Sequence, residues 1–158
     1  MPSHPQVLIE TPPRINVVRW ADPVVEARGH RPGSAYVEGV WLSALGPATT
    51  LAWARLARLA AVRPASVVDT TDLAVSLGLG ERLGRNAPIS RTLARMVAFD
   101  AARRSGDTLA VRLALADLPE RRVHRLSWSA RMAHERWATS PSPRPAPAAE
   151  AAPVGVEL

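Results

Sequence analysis

Apolar residues recur in short, punctuated blocks, and the spacing within each block names its element. Ile15 to Trp20 is β-branched and lies between Pro13 and Asp22-Pro23, so it predicts a strand. Gly29 to Gly33 is a turn-rich loop. Ser34 can cap a short helix through Trp41, although Tyr36, Val37, Val40 and Trp41 suit a strand almost as well. Pro47 stands at a first helical position, and Leu51, Ala54, Leu56, Leu59 and Ala60 then form an inward stripe up to Val62. Arg63-Pro64 ends that helix. Val67 and Val68 make a very short strand, after which Asp69 or Thr70 caps a helix with Leu73 and Leu77 inward and Gly78 as its stop. Asn86 is the expected cap of a third helix, with Pro88 in its first turn and Ile89, Leu93, Met96 inward. Ser90, Arg91, Ala94 and Arg95 then take the opposite side. Residues 101–104 and 108–112 flank Ser105-Gly106-Asp107, which has hairpin-turn chemistry. Val123, Leu126, Ala130, Ala133 and Trp137 predict one closing amphipathic helix over 119–137, with Ser127 as a place where it can restart.

The ends carry a different pattern. Residues 1–13 hold Pro2, Pro5, Pro12 and Pro13 and read as a loose arm, and 138–158 are Pro, Ala and Ser with almost no large apolar side chain. The expected organisation is a disordered arm over 1–13, one folded domain over 14–137 and a disordered tail over 138–158. A chain of 158 residues has room for one core of ordinary size.

Composition sharpens this in three ways. All 20 basic residues are arginine, and the net charge is +6. The excess sits in the middle: residues 41–137 carry fifteen Arg against eight acids, whereas 1–40 carry four against four. A basic folded unit attracts phosphate by counterion release, and the same charge also serves solubility. There is no cysteine, which removes disulfides, thiolate metal sites and Cys nucleophiles. The longest uncharged run, Gly39 to Ala54, is shorter than the ~20 residues of a membrane span, and the first thirty residues lack a signal-peptide core. A soluble cytoplasmic protein is expected.

Little points to catalysis or metal binding. His4, His30, His124 and His134 are scattered, so no metal site is expected. Gly78, Gly80 and Gly84 follow a helix rather than a strand and lack a following Lys-Ser or Lys-Thr, so they serve as helix stop and hinge rather than a phosphate loop. Glu120 and His124 have no nucleophile placed with them. No enzyme, cofactor or small-molecule ligand is expected.

The order helix, tiny strand, capped helix, second helix, hairpin over 47–113 resembles a winged helix-turn-helix domain of the small bacterial single-domain type. Asp72-Leu73-Ala74 with Leu77-Gly78-Leu79, followed by Ile89-Ser90-Arg91-Thr92-Leu93 and Arg95-Met96, carries the likeness. Two features depart from it: the segment between Gly78 and Asn86 is long for a tight turn, and Asp100-Ala101 stands where many such domains place Gly and Leu. The resemblance implies an α+β fold, mainly α, with an N-terminal strand and C-terminal helix added. It also implies sequence-dependent binding of double-stranded DNA, with 86–104 as recognition helix and transcriptional regulation as the setting. Arg91 and Arg95 are then candidates for base contact, with Arg82, Arg85, Asn86, Ser90, Arg104 and Arg112 for phosphate or base edges. A homodimer suits paired half-sites, with the strand at 15–20 or the last helix as its contact. The alternative is a winged-fold protein-interaction adaptor without DNA binding. Its partner surface would centre on Trp128 and Trp137, two of five tryptophans in a chain with one Phe and one Tyr. A positive field over Arg85, Arg91, Arg95 and Arg112 favours DNA, and its neutralisation by Asp69, Asp72, Glu81 and Asp107 favours the adaptor.

Because the tail has no apolar surface to bury, deleting residues 139–158 is expected to leave the melting temperature unchanged, measured by calorimetry; a clear fall would mean that the tail docks.

Overall fold

The computed structural model describes residues 10–140. Strand β1 (Arg14–Trp20) leads into α1 (Pro23–Arg28). A π-helical segment (Val37–Trp41) runs directly into α2 (Leu42–Leu45), and α3 (Pro47–Val62) follows after Gly46. Then come β2 (Ala65–Asp69), α4 (Thr70–Ser76), α5 (Pro88–Ala98), β3 (Ala102–Ser105), β4 (Thr108–Arg112), α6 (Glu120–Val123) and α7 (Trp128–Thr139). The class is α+β. Among the described residues no helix is long and apolar enough to cross a membrane.

The four strands form one sheet in the order β2-β1-β4-β3. β1 pairs antiparallel with β2, Ile15 opposite Val68, and parallel with β4, Val17 opposite Leu109; β3 and β4 close as a hairpin. β1 is thus central. Its hydrogen-bonding edges are both occupied, which removes the expectation that 15–20 supplies a dimer contact: a strand paired on both sides has no donors or acceptors left to offer. Alternation places Ile15 and Val17 in the core and Asn16 on the outer face.

Helices α3, α4 and α5 cover the inner face. Trp53 is wholly enclosed and donates its indole N–H to the Arg112 carbonyl at 2.9 Å, so the largest core side chain also fixes α3 against the end of β4. Ala52, Leu56, Ala57 and Ala60 complete the buried stripe. Leu51, expected inward, is 61% exposed because the stripe is centred on 49, 53, 56 and 60 and leaves Leu51 on the opposite side of the helix, beside exposed Arg55 and Arg58. Asp69 caps α4 by accepting from the Asp72 N–H at 2.8 Å. Gly78, at φ 73°, ends the same helix: its N–H reaches the Val75 carbonyl, and Leu79 N–H reaches back to Ala74. Gly106, at φ 57°, sits in the expected hairpin turn.

The closing helix is split. The helix is interrupted by a turn over 124–127 between α6 and α7, and Ser127 restarts it as a cap, accepting from Ala130 N–H at 3.3 Å. The expected stripe survives the break: Val123 and Ala130 are buried, and Leu126, Ala133 and Trp137 pack on the core. Trp137 meets His30 edge-on at 4.9 Å between centroids, and His30 stacks on Tyr36 at 3.9 Å. Burial pushes the Tyr36 phenol up to about 12, so it stays protonated: it donates to His134 Nδ1 at 2.8 Å while accepting from Leu118 N–H at 2.9 Å. Gly29 must be glycine here, since a Cβ would stand 2.4 Å from the Val25 carbonyl oxygen and 2.7 Å from that of Leu115.

The expected loose arm over 1–13 is corrected at its end. Thr11 is buried, Pro12 and Pro13 accept hydrogen bonds from Thr70 Oγ1 and N at 2.6 and 2.9 Å, and Glu10 accepts from Arg104. Proline lacks a donor but keeps its carbonyl, so a Pro-rich segment can dock by accepting alone. The rest of the arm (1–9) and the tail beyond Ser140 lie outside the described residues.

The central position of β1 predicts an uneven response to equal truncations. Val17→Ala, at a fully enclosed site, should cost about 2 kcal/mol in urea denaturation, whereas Val24→Ala on exposed α1 should stay within about 0.5 kcal/mol.

Candidate nucleic-acid interface

The N-terminus of α5 gathers the exposed candidates. Ala87, not Asn86, occupies the cap position, and no side chain caps the helix. Pro88 follows at the first helical position, where a missing N–H costs nothing. Asn86 is left one residue outside, exposed, and with Arg82, Gly84, Arg85 and Ala87 it lines a shallow hollow at the helix start. Arg91 lies one turn further along on the exposed side. The positive end of the α5 dipole and three guanidinium groups therefore share one corner of the molecule. Among the described residues Arg82, Arg85 and Arg91 form no ion pair, and none of Asp69, Asp72, Glu81 and Asp107 neutralises an arginine by direct contact.

Four other candidates are committed to the fold. Ser90 does not share the outer side with Arg91: it is 4% exposed, and its Oγ lies 2.7 Å from Thr11 Oγ1 and 3.1 and 2.9 Å from the carbonyl oxygens of Leu83 and Gly84. With one proton to give, Ser90 donates to a carbonyl and accepts from Thr11, so it ties the loop before α5 to the N-terminal segment. Arg95 turns toward α2, donating from Nε to Leu45 at 2.9 Å and from Nη2 to Ala44 at 2.6 Å. It satisfies the carbonyls that end that helix, a favourable place for a cation. Arg112 donates to Asp22 Oδ2 at 2.6 Å and to the Asp100 carbonyl at 2.8 Å. The Arg112 hydrogen bond holds the Asp22 carboxyl below its ordinary value, helped by the Val25 amide that Asp22 caps. Arg104 reaches the carbonyls of Gly106 and Glu10 at 3.3 and 3.1 Å and so straps the hairpin to the N-terminal segment.

Two aromatic clusters absorb further arginines. Arg103 and Arg112 lie 3.7 and 3.6 Å from the Trp20 ring centroid, and Arg95 and Arg122 lie 5.0 and 3.8 Å from that of Phe99. Burial lowers the Arg122 pKa from its usual value, and its Nη2 donates to Ala98. Arg103 and Arg122 were invisible as structural clamps from spacing alone, because the rings they cover are distant in sequence. Of the two tryptophans expected to form a partner surface, Trp137 is packed on His30 and Tyr36, and Trp128 stands 70% exposed at the start of α7. The structure does not bring them into one apolar patch.

Comparison with known proteins adds no relative: no family model matches the chain, and neither a curated protein nor a solved structure matches it.

The split between free and committed side chains is measurable. Ser90→Ala removes the hydroxyl that pairs with buried Thr11 and with the Leu83 carbonyl and should cost about 1–3 kcal/mol of stability, while Arg91→Ala should change stability by less than about 0.5 kcal/mol. Asp22 has a lowered folded-state pKa, so its pairing stabilises above the unfolded carboxyl range and is lost as pH falls through the folded value; Asp22→Asn should flatten that acid limb in a stability-against-pH titration.

Proposed function

We propose that this chain binds double-stranded DNA in the manner of a winged helix-turn-helix protein, with α5 as recognition helix and transcriptional control as its setting. The hollow at the start of α5, lined by Arg82, Arg85 and Asn86 and continued by Arg91, carries this reading. Its arginines form no ion pair among the described residues, and an uncapped helix N-terminus completes an anion-attracting corner. The order α3, β2, α4, α5, β3, β4 supports it, being the order the resemblance calls for. In this reading Arg82 and Arg85 meet phosphate, Arg91 meets a base edge, and Ser90, Arg95, Arg104 and Arg112 hold the frame that positions them.

Fluorescence anisotropy with a random duplex at two salt concentrations tests the phosphate contacts. Wild-type protein should bind with salt-dependent affinity, and the double replacement of Arg82 and Arg85 by Ala should weaken all sequences alike and reduce the salt slope by about two. Once a target is selected from random duplexes, Arg91→Ala should lose ~1–3 kcal/mol of discrimination at one base position. No duplex binding at low salt would overturn the proposal. The exposed Trp128 favours the adaptor reading, which prevails if the arginine variants leave duplex binding unchanged while Trp128→Ala abolishes capture of a cellular protein.

A further inference from the structure

The two edges of the sheet are built differently. β3 carries Arg103 and Arg104, one stacked on Trp20 and the other bonded across to Glu10, so charge guards that edge. β2 forms the other edge, and from Ala65 to Val68 it has no charged residue. Val67, at its centre, is 66% exposed.

The β1–β2 register shows which β2 groups are unspent among the described residues. Arg19 N–H donates to the Pro64 carbonyl at 3.0 Å and Thr70 N–H to that of Pro13 at 2.9 Å, with Val17 opposite Ser66 and Ile15 opposite Val68. In an antiparallel ladder hydrogen-bonded positions alternate, so Pro64, Ser66, Val68 and Thr70 face β1. Ala65, Val67 and Asp69 aim their backbone groups the other way.

We infer that β2 pairs with β2 of a second copy of this chain, antiparallel about a two-fold axis through Val67, to join two four-stranded sheets into one. That register uses the outward groups: Val67 meets Val67, and Ala65 meets Asp69. It is also complementary in charge. Exposed Arg63 precedes the strand, while exposed Asp69 and Asp72 follow its start into α4, so antiparallel pairing sets the basic end of one copy beside the acidic end of the other. Strand pairing alone buries less than the ~1,200–2,000 Å² of a stable interface. Val62 and Val75, exposed on the helices entering and leaving β2, supply apolar surface on either side, and the bond from Arg55 to Ser76 holds those two helices together. A dimer of this kind is independent of the DNA reading.

The full chain has no cysteine, which makes a single introduced thiol a clean reporter. Opposed residues at a hydrogen-bonded pair have Cα atoms about 5.5 Å apart, within disulfide range. Val67→Cys should therefore form a disulfide-linked dimer under mild oxidation, and Val62→Cys, exposed but five residues from the axis, should remain monomeric in denaturing electrophoresis. In sedimentation equilibrium Val67→Lys, which sets like charges face to face, should raise the dimer dissociation constant by about tenfold or more. Circular dichroism of each variant should match wild type, since the side chain lies outside the core. A monomeric wild type, equal cross-linking at both positions, or an undiminished dimer in Val67→Lys would overturn the proposal.

Discussion

Everything else in this fold hangs on the double pairing of β1. The hairpin and β2 are each too short to persist alone, and they do not touch; each is held because one strand from the N-terminal end lies between them, antiparallel to one and parallel to the other. The same strand lays Ile15 and Val17 into the layer where Trp53, Leu56, Ile89 and Met96 meet. The segment just before it then crosses to Thr70, Ser90 and Arg104, reaching the starts of α4 and α5 and the hairpin in four residues. The placement of α5 is thus set as much by residues 10–17 as by its own packing stripe.

An arginine-only cationic repertoire divides here by what lies within reach of each guanidinium. Where a helix end leaves carbonyls that its backbone cap does not reach, as α2 does at Ala44 and Leu45, an arginine supplies the missing donors. Where an aromatic ring has an open face, as at Trp20 and Phe99, an arginine covers it and carries hydrogen bonds from the same side chain. Arg82 and Arg85 sit in a loop with no carboxylate or carbonyl partner among the described residues, and Arg91 projects from a helix whose neighbours turn inward. Net charge counts these groups equally. Only the geometry separates those that remain open to a ligand from those already satisfied.

The local layer was legible in the residues. Pro47, Asp69, Gly78, Pro88 and Gly106 mark boundaries through backbone preferences that need no tertiary partner, and the elements they delimit fall where those preferences place them. The stripe 123, 126, 130, 133 and 137 was equally legible, because periodicity survives even a break in the helix that carries it. Sheet order was not, since alternation says which face of β1 is buried and nothing about which strands flank it. The fates of Ser90, Arg95 and Arg112 were also hidden: helical spacing puts Ser90 beside Arg91, while its burial depends on Thr11 and the loop carbonyls of Leu83 and Gly84. The sequence by itself determined the elements, their caps and the excess of positive charge, all of which rest on neighbours a few residues apart. Only the tertiary structure decided which strand is central and which arginines are spent, because those outcomes rest on contacts spanning fifty to ninety residues, where chain spacing carries no distance information.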